Sequence, residues 1–285
     1  MSRRRRRILG AMGGNKNFIF PALQPIVPSA VMDLDATNAA SYGGSGQTFS
    51  NLVATPADGS AQTDYDYYLG ATSGAEGSDP IFLGIAGSRS AEFTLNGSGL
   101  FTIKNGNTAL ISNAQKTTGG NNISVWVVGY FPPRTVGSNG FSLFGSGGTD
   151  PLKHGIAFGN GQFGTSNLPV AVGSGAQGFN GTSGSIGSND IYQNSYKFIG
   201  YTYNPSTKEV KVYNGSNAVV TGTVGFYVST VNATDLFQFG AAGAGLNVAY
   251  AGTKFIAMGK SNSILSDAEV VALRSMYSTR HNRTY

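Results

Sequence analysis

The acidic side chains are the first candidates for chemistry, because glycoside hydrolysis generally needs a pair of carboxylates in one site. The 285 residues include four glutamates, of which no two lie within five residues of each other. They are Glu76, Glu92, Glu209 and Glu269. We expect Glu269 to cap a helix and Glu209 to begin a strand. The spacing therefore predicts a protein without a glycosidase pair.

Two pairs of aspartates could hold a ligand, since carboxylates two positions apart share one face of an extended strand. The pairs are Asp33 with Asp35 and Asp64 with Asp66. Calcium takes about 6–8 oxygen ligands, and neither pair supplies that number. For Asp64 and Asp66 we favour a polar loop edge over a calcium or sugar site. The same alternatives stay open for Asp33 and Asp35.

Aromatic residues are the next candidates. Tyr65, Tyr67 and Tyr68 follow one another closely in a polar stretch, and we interpret them as surface tyrosines that could contact a ligand or a partner. Trp126 could stack on a sugar, but it lies inside an alternating strand pattern. That position favours a place in the core.

Metal and nucleophile chemistry finds little support. Cysteine is absent, which excludes disulfides, thiolate metal sites and cysteine nucleophiles. His154 and His281 lie far apart without neighbouring acids, so we expect isolated surface or turn histidines rather than a metal site or a catalytic triad. Residues 159–164 match a dinucleotide-binding pattern by letter, but no βαβ unit surrounds them. We predict no cofactor and no bound metal.

The net charge is confined to one end of the sequence. The formal charge of +5 arises from 19 basic and 14 acidic residues. Five of the basic residues are the consecutive arginines Arg3, Arg4, Arg5, Arg6 and Arg7. The rest of the chain carries 14 charges of each sign and is neutral, so we expect no basic nucleic-acid-binding face on its body.

Residues 1–28 are predicted to form an extended anchoring arm, because three prolines within eight positions disfavour a central strand. The arginines allow three interpretations: a solvated tail, an electrostatic contact with packaged DNA, or pairing with carboxylates on a protein surface. Phe18 and Phe20 favour docking into a protein groove, where they would act as apolar anchors. The apolar stretch after the arginines is too short for a signal peptide. No apolar run approaches the ~20 residues of a membrane span.

The elements that must position these residues are predicted to be mostly strands. Glycine accounts for 42 residues and charged residues for 12%, and short apolar runs alternate with turn signals. The longest candidate strand is 123–131, and a hairpin is expected over 197–213. Ser266 and Glu269 form a capping box that begins one C-terminal helix.

The order of these elements resembles the LamG-like jelly-roll group of the concanavalin A-type lectin/glucanase fold, in the versions found in phage and bacterial surface proteins. The matching segments are 31–36 with 41–46, a hairpin over 93–103, 123–127, 198–215 and 264–270. The resemblance implies an all-β fold, an antiparallel β-sandwich jelly roll over 29–285. Related glucanases place two glutamates around an aspartate on one strand. This chain departs from that pattern, which is a second reason to expect no enzyme.

These observations predict a non-enzymatic structural protein of a phage virion. We expect a decoration protein or a short fibre component on the capsid or tail surface, homo-oligomeric and bound to other virion proteins through residues 1–28. DNA contact by the arginines is the less favoured partner, and no membrane contact is expected. The alternative is a carbohydrate-binding module, on the virion or on a cell surface, that contacts a host glycan. An exposed aromatic cleft with converging polar groups would favour this alternative.

Overall fold

The computed structural model describes most of the chain between Ala22 and Tyr285. The described ranges are 22–133, 142–147, 154–158, 170–174, 194–214, 216–223, 230–243 and 248–285. Arg3 to Arg7, Phe18 and Phe20 lie outside the described residues, as does the glycine-rich stretch 159–164.

The described residues form fifteen β-strands and two α-helices. The strands are β1 Ala30–Asp35, β2 Thr48–Phe49, β3 Tyr67–Leu69, β4 Ile81–Leu83, β5 Glu92–Thr94, β6 Phe101–Ile103, β7 Ile123–Phe131, β8 Phe144–Gly145, β9 His154–Phe158, β10 Val170–Ser174, β11 Ser195–Asn204, β12 Glu209–Asn214, β13 Ser216–Thr223, β14 Gln238–Phe239 and β15 Lys254–Ser261. The helices are α1 Ala109–Asn113 and α2 Asp267–His281.

The strands make two antiparallel sheets that pack face to face. Sheet A has the order β13-β12-β11-β7-β15-β5-β4, and β1 pairs with β15 on the same side as β5. Sheet B has the order β10-β9-β8-β14-β6-β3-β2. The predicted all-β antiparallel sandwich with a C-terminal helix is confirmed. Within the described residues, no helix is long and apolar enough to cross a membrane.

Alternating side chains of the strands fill the space between the sheets. In β7, Ile123, Val125 and Val127 point into this core and are fully buried. Trp126 and Val128, at the alternating positions, point to the outer face of sheet A and join a second apolar cluster. This period-two pattern gives sheet A two covered faces along part of its length.

Helix α2 covers that outer face. The predicted capping box is confirmed: the Glu269 N–H donates to the Ser266 hydroxyl at 3.3 Å, and the Ser266 N–H donates to the Glu269 carboxylate at 2.8 Å. Leu273 and Tyr277 of the apolar helix stripe are fully buried in the second cluster. The predicted core position of Trp126 is also confirmed, since its indole N–H donates to the Tyr277 hydroxyl at 3.0 Å.

The described end of the predicted arm joins the same cluster. Residues 22–28 form a turn rather than an extended strap, because the Val27 N–H donates to the Leu23 carbonyl at 2.9 Å. This turn brings Leu23 and Val27 to one side, where both are buried in the cluster that α2 covers.

Two hairpin predictions had different outcomes. The hairpin over 197–213 is confirmed, with β11 and β12 paired from Asn204 and Glu209 onward. The hairpin over 93–103 is wrong, because β5 belongs to sheet A and β6 to sheet B. Phe93 and Phe101 meet across the core instead, with ring centres 5.2 Å apart. The turn signal between them connects the two sheets rather than two paired strands.

Gly259 is the position in β15 that lets Trp126 lie against the sheet. The two residues are directly opposite each other in the β15–β7 register. A Cβ atom on Gly259 would overlap the indole ring. Because α2 closes the other side, the ring has no space to retreat.

We therefore expect Gly259→Ala to lower the free energy of unfolding by about 1–3 kcal/mol through overpacking. The matched control is Gly43→Ala, since a Cβ atom there meets no atom within 4 Å; its effect should stay within about 0.5 kcal/mol. Urea unfolding followed by the fluorescence of Trp126, the chain's one tryptophan, measures both. Equal stability of the two variants would contradict the packing account.

Candidate functional site

The three tyrosines predicted to lie at the surface occupy different environments. Tyr65 and Tyr67 are fully buried, so the prediction is wrong for these two. Residues 62–65 form a turn of 3-10 helix that leads into β3, and the strand alternation then sends Tyr67 inward. Tyr68 points outward from sheet B and is half-buried, with the Lys104 ammonium 6.0 Å from its ring centre. Ligand contact by Tyr68 stays a prediction.

The buried tyrosines satisfy other buried polar groups. The Lys260 ammonium, fully buried between the sheets, donates to the Tyr67 hydroxyl and lies 3.5 Å from the centre of the Phe237 ring. Burial lowers the pKa of Lys260 well below its usual value. Tyr65 donates to the Asp58 carboxylate at one end of the sandwich. Both hydroxyl groups therefore have structural partners.

The pair Asp64 and Asp66 bonds to nearby backbone. Asp64 accepts the Ala61 N–H at 2.9 Å at the edge of the turn, in agreement with the favoured interpretation. Asp66 is buried and accepts the Asn51 N–H at 2.8 Å. Burial raises the pKa of Asp66. Its carboxylate thus joins two chain segments instead of facing solvent.

The pair Asp33 and Asp35 lies on the outer face of sheet A, beneath the C-terminal half of α2. Arg280 donates to Asp33 at 2.8 Å and to Asp35 at 3.2 Å. His281 lies 3.1 Å from Asp35, and the Tyr277 hydroxyl donates to Asp33 at 3.0 Å. All five side chains are buried. This ion cluster answers the open question for Asp33 and Asp35, and it is a structural unit rather than a loop edge.

The prediction that His281 lacks acidic neighbours is wrong for the same reason. Asp35 precedes His281 by 246 positions, so local sequence could not place them together. Within the described ranges, no group of three or more histidine, aspartate or glutamate residues is arranged to bind a metal ion.

The two carboxyl groups of the cluster respond differently to their surroundings. Burial raises the pKa of Asp33, although Arg280 acts in the opposite direction. Burial also acts to raise the pKa of Asp35, but the charges and hydrogen bonds of His281 and Arg280 outweigh it and lower the value to about 2. The lowered pKa keeps the Asp35 carboxylate ionised at neutral and mildly acidic pH.

The part of sheet A that α2 leaves uncovered carries a row of partly exposed side chains, which we call the tyrosine platform. Successive members lie directly opposite each other on neighbouring strands. From the edge inward they are Ile81, Thr94, Lys254, Tyr130 and Tyr196. All point outward, because the residues that alternate with them, such as Phe93 and Phe255, face the core.

Charged side chains fix the geometry of the tyrosine platform. The Glu92 carboxylate accepts hydrogen bonds from Lys254 at 2.6 Å, the Tyr196 hydroxyl at 2.8 Å and Arg283 at 3.3 Å. The Arg283 guanidinium lies 4.0 Å from the centre of the Tyr196 ring. The hydrogen bond to Glu92 raises the pKa of Lys254. Together these three charged groups, Lys254, Arg283 and Glu92, carry one excess positive charge.

The arrangement combines ring surface with hydrogen-bonding groups. Tyr130 and Tyr196 are half-buried, with ring centres 5.3 Å apart and planes inclined at 57°. Ile81, 52% exposed, and Leu83, 40% exposed, extend the apolar surface to the sheet edge. Small-ligand sites are lined mostly by apolar and aromatic side chains with a few polar groups, and this open sheet face presents the same kinds of side chain.

Tyr130 and Tyr196 were not predicted from the sequence, although the strand pattern holds a usable signal for them. Tyr130 lies within the predicted strand 123–131, and Tyr196 directly precedes the predicted hairpin over 197–213. Alternation alone would have placed Tyr130 on the same face as Trp126. It could not show that α2 covers Trp126 and stops before Tyr130.

Comparison with known proteins shows the fold class. No protein-family model and no curated protein matches this chain. Domain 4 of AbnA, an extracellular GH43 arabinanase from Geobacillus stearothermophilus solved with arabinotriose, is similar at 16% identity and a TM-score of 0.52, covering 86% of this chain and 98% of that one. The binding domain of Paraclostridial Mosquitocidal Protein 1 gives 11% identity, a TM-score of 0.54, and coverage of 88% and 53%.

A mutant of HCR/D is similar at 13% identity and a TM-score of 0.52, covering 88% of this chain and 52% of that one. This chain therefore spans about half the length of these last two proteins. At such identities the likeness shows a shared β-sandwich fold and nothing about a site.

The ion cluster gives a pH-dependent prediction. With the pKa of Asp35 lowered from 3.8 to about 2, its stabilisation is present above about pH 4 and is lost as pH falls through 2. This pKa shift corresponds to a contribution of roughly 2 kcal/mol to the free energy of unfolding. Asp35→Asn should lower the free energy of unfolding by about 3–5 kcal/mol at pH 7, because the substitution also leaves Arg280 and His281 without the Asp35 charge.

The measurement is urea unfolding of both proteins between pH 2 and pH 7. The control is Glu209→Gln, which removes a partly exposed ion pair in which Glu209 lies 3.9 Å from Lys211. We expect the gap between wild type and Asp35→Asn to narrow below pH 4 and the control to follow wild type. A gap that stays constant with pH would show that Asp35 is not held ionised by the cluster.

Proposed function

We propose that this chain is a non-enzymatic β-sandwich module that binds glycans on the tyrosine platform. The observation that carries the proposal is the pair Tyr130 and Tyr196, half-exposed on the open part of sheet A with charged hydrogen-bonding side chains beside them. A sugar ring presents one apolar face and several hydroxyl groups. Aromatic surface suits the first, and Lys254, Arg283 and Glu92 suit the second.

The shared fold supports this proposal by analogy. Domain 4 of AbnA has been solved in complex with arabinotriose, and it is covered almost completely by the match. Fold alone does not assign a ligand, because unrelated functions occur on the same architecture. The residues of the tyrosine platform are therefore the ones whose substitution tests glycan binding.

The arrangement of acidic groups supports a binding role over catalysis. Glu92 is the carboxylate that bonds to members of the tyrosine platform, and three donors already occupy its oxygens. Hydrolysis of a glycosidic bond generally uses two carboxyl groups, one of which must exchange a proton with the substrate. We therefore propose that a bound glycan leaves the site uncleaved.

Truncation of the platform tests the binding role. Tyr130→Ala should weaken glycan binding roughly 3- to 10-fold by removing one aromatic contact. Tyr130→Phe keeps the ring and should bind nearly as well as wild type. A glycan array selects the ligand, and titration calorimetry measures the affinity of each variant.

Tyr68→Ala is the matched comparison, because Tyr68 is half-buried on the opposite sheet. If Tyr68→Ala loses binding and Tyr130→Ala does not, the site lies on sheet B and the platform proposal is wrong. Mass spectrometry of the recovered glycan provides the test for catalysis. Cleavage that disappears in Glu92→Gln would overturn the non-enzymatic proposal.

We also propose that the module is displayed on a phage particle as a decoration or short fibre component, held by residues 1–28 and assembled as a homo-oligomer. The sequence feature that supports this role is the confinement of the whole net charge to Arg3–Arg7, with Phe18 and Phe20 following. In the structure, Leu23 and Val27 attach the end of this segment to the domain. The arm would thus link the particle surface to the β-sandwich.

Replacing the five residues Arg3–Arg7 by serine should weaken attachment to particles and reduce its salt sensitivity, since exposed charges are screened at a Debye length of ~8 Å in physiological salt. Replacing Phe18 and Phe20 by serine should weaken attachment at every salt concentration. Occupancy on particles that lack the native protein measures both. Unchanged occupancy in both variants would contradict the anchoring role, and binding of the isolated arm to DNA with a steep salt dependence would indicate a DNA contact instead.

A further inference from the structure

A cleft lies at the end of the sandwich where β7 begins and β15 ends. Its volume is about 410 Å³, within the range of ~300–1,000 Å³ typical of ligand sites. The lining residues are Asp58, Ser60, Ala109, Leu110, Gly120, Asn121, Asn122 and Asn262. We call it the end cleft.

Close backbone contacts hold the walls of the end cleft. A Cβ atom on Gly120 would overlap the Lys116 carbonyl oxygen and would lie 2.7 Å from Pro205, so this loop packs tightly against the turn between β11 and β12. The Asn121 side-chain amide donates to the Ala109 carbonyl at 3.0 Å, which ties the loop to the start of α1. These contacts form the cleft before any ligand arrives.

The floor of the cleft is also fixed. Asp58 accepts the Ser60 N–H at 3.2 Å and the Ser60 hydroxyl at 3.0 Å. The buried Tyr65 hydroxyl donates to the same carboxylate from below. Tyr65 therefore acts as a positioning residue for Asp58, a role different from the surface contact expected of it.

Two carboxamides of the cleft remain open. In the described part of the chain, the side chains of Asn122 and Asn262 make no hydrogen bond; Asn122 is exposed and Asn262 is half-buried. Each carboxamide offers two N–H donors and a carbonyl acceptor. With the Asp58 acceptor, the cleft presents donors and acceptors side by side.

The lining narrows the class of ligand. The lining contains one carboxylate, that of Asp58. Calcium takes about 6–8 oxygen ligands, usually with several carboxylates among them, so this lining does not suit it. The lining contains no lysine, arginine or histidine to pair with an anion. A ligand with neighbouring hydroxyl groups, each both donor and acceptor, would match the carboxamides and the carboxylate of the cleft. Ala109 and Leu110 would contact an apolar part of the same ligand.

We infer that the end cleft is a second binding site, which takes an uncharged sugar unit through Asn122, Asn262 and Asp58. The site does not depend on the tyrosine platform. Asn122 precedes β7 and Tyr130 lies eight residues further on, so the two sites are about 25 Å apart at ~3.3 Å per strand residue. One chain can then hold two sugar units of a long glycan, or two separate glycans.

The experiment uses the full chain and free neutral monosaccharides as the probe, with glucose, galactose, mannose and arabinose tested separately by saturation-transfer NMR and titration. The double variant Asn122→Ala with Asn262→Ala should weaken binding of the bound sugar at least ~5-fold, since it removes two hydrogen-bonding groups. Asn122→Asp, which keeps the side-chain volume but removes both donors, should weaken it in the same direction. Asn232→Ala, at an exposed position outside the cleft lining, should bind as wild type does.

Variants of the other site make the result independent of the platform. Tyr130→Ala should keep the monosaccharide binding that the double variant loses, and Trp126 fluorescence should show the same folded state in every variant. If no monosaccharide binds, or if the double variant binds as wild type does, the second site is wrong while glycan binding on the platform still stands. If Tyr130→Ala abolishes all binding, the platform is the one site and the end cleft is refuted.

Discussion

The ion cluster of Asp33 and Asp35 with Arg280 and His281 is the interaction on which the arrangement of this protein depends. It buries four ionisable groups between sheet A and helix α2, where each would be costly to bury alone. Asp33 and Asp35 belong to the first strand, and their partners belong to the last helix. The cluster therefore fixes α2 on the outer face of sheet A by charge as well as by apolar contact.

The position of α2 decides which part of sheet A is available for binding. Trp126 lies beneath the helix, held by the absence of a side chain at Gly259 and by a hydrogen bond to Tyr277. Tyr130 follows Trp126 by four residues on the same face and escapes the helix. Arg283, just after the helix, then reaches over the neighbouring tyrosine. The tyrosine platform is thus the remainder of a face that is otherwise used for stability.

Both proposed sites are attached to the same two central strands. β7 and β15 pair over most of their length, and each carries a platform residue near one end and leads into the end cleft at the other. Both strands have hydrogen-bonded neighbours on each side, so the sheet fixes the backbone between the two sites. This rigidity would favour ligands whose sugar units match that spacing.

Local signals in the sequence carried most of the fold. The capping box at Ser266 and the hairpin over 197–213 rest on residues close together in the chain, and both appear in the structure. The hairpin over 93–103 failed although its strands exist, because a turn signal does not state which sheet the next strand joins. The prediction that His281 has no acidic neighbour was wrong for a related reason, since its partner Asp35 lies 246 residues away in the sequence.

The sequence by itself determined the strand-rich composition, the alternation along each strand, the helix start and the confinement of net charge to Arg3–Arg7. The tertiary structure alone decided which alternating positions reach solvent. Alternation with period two assigns side chains to two faces, but it does not state what covers each face. Tyr67 and Tyr68 show this directly: they are neighbours in one strand, and the packing of a second sheet buries one and leaves the other partly open.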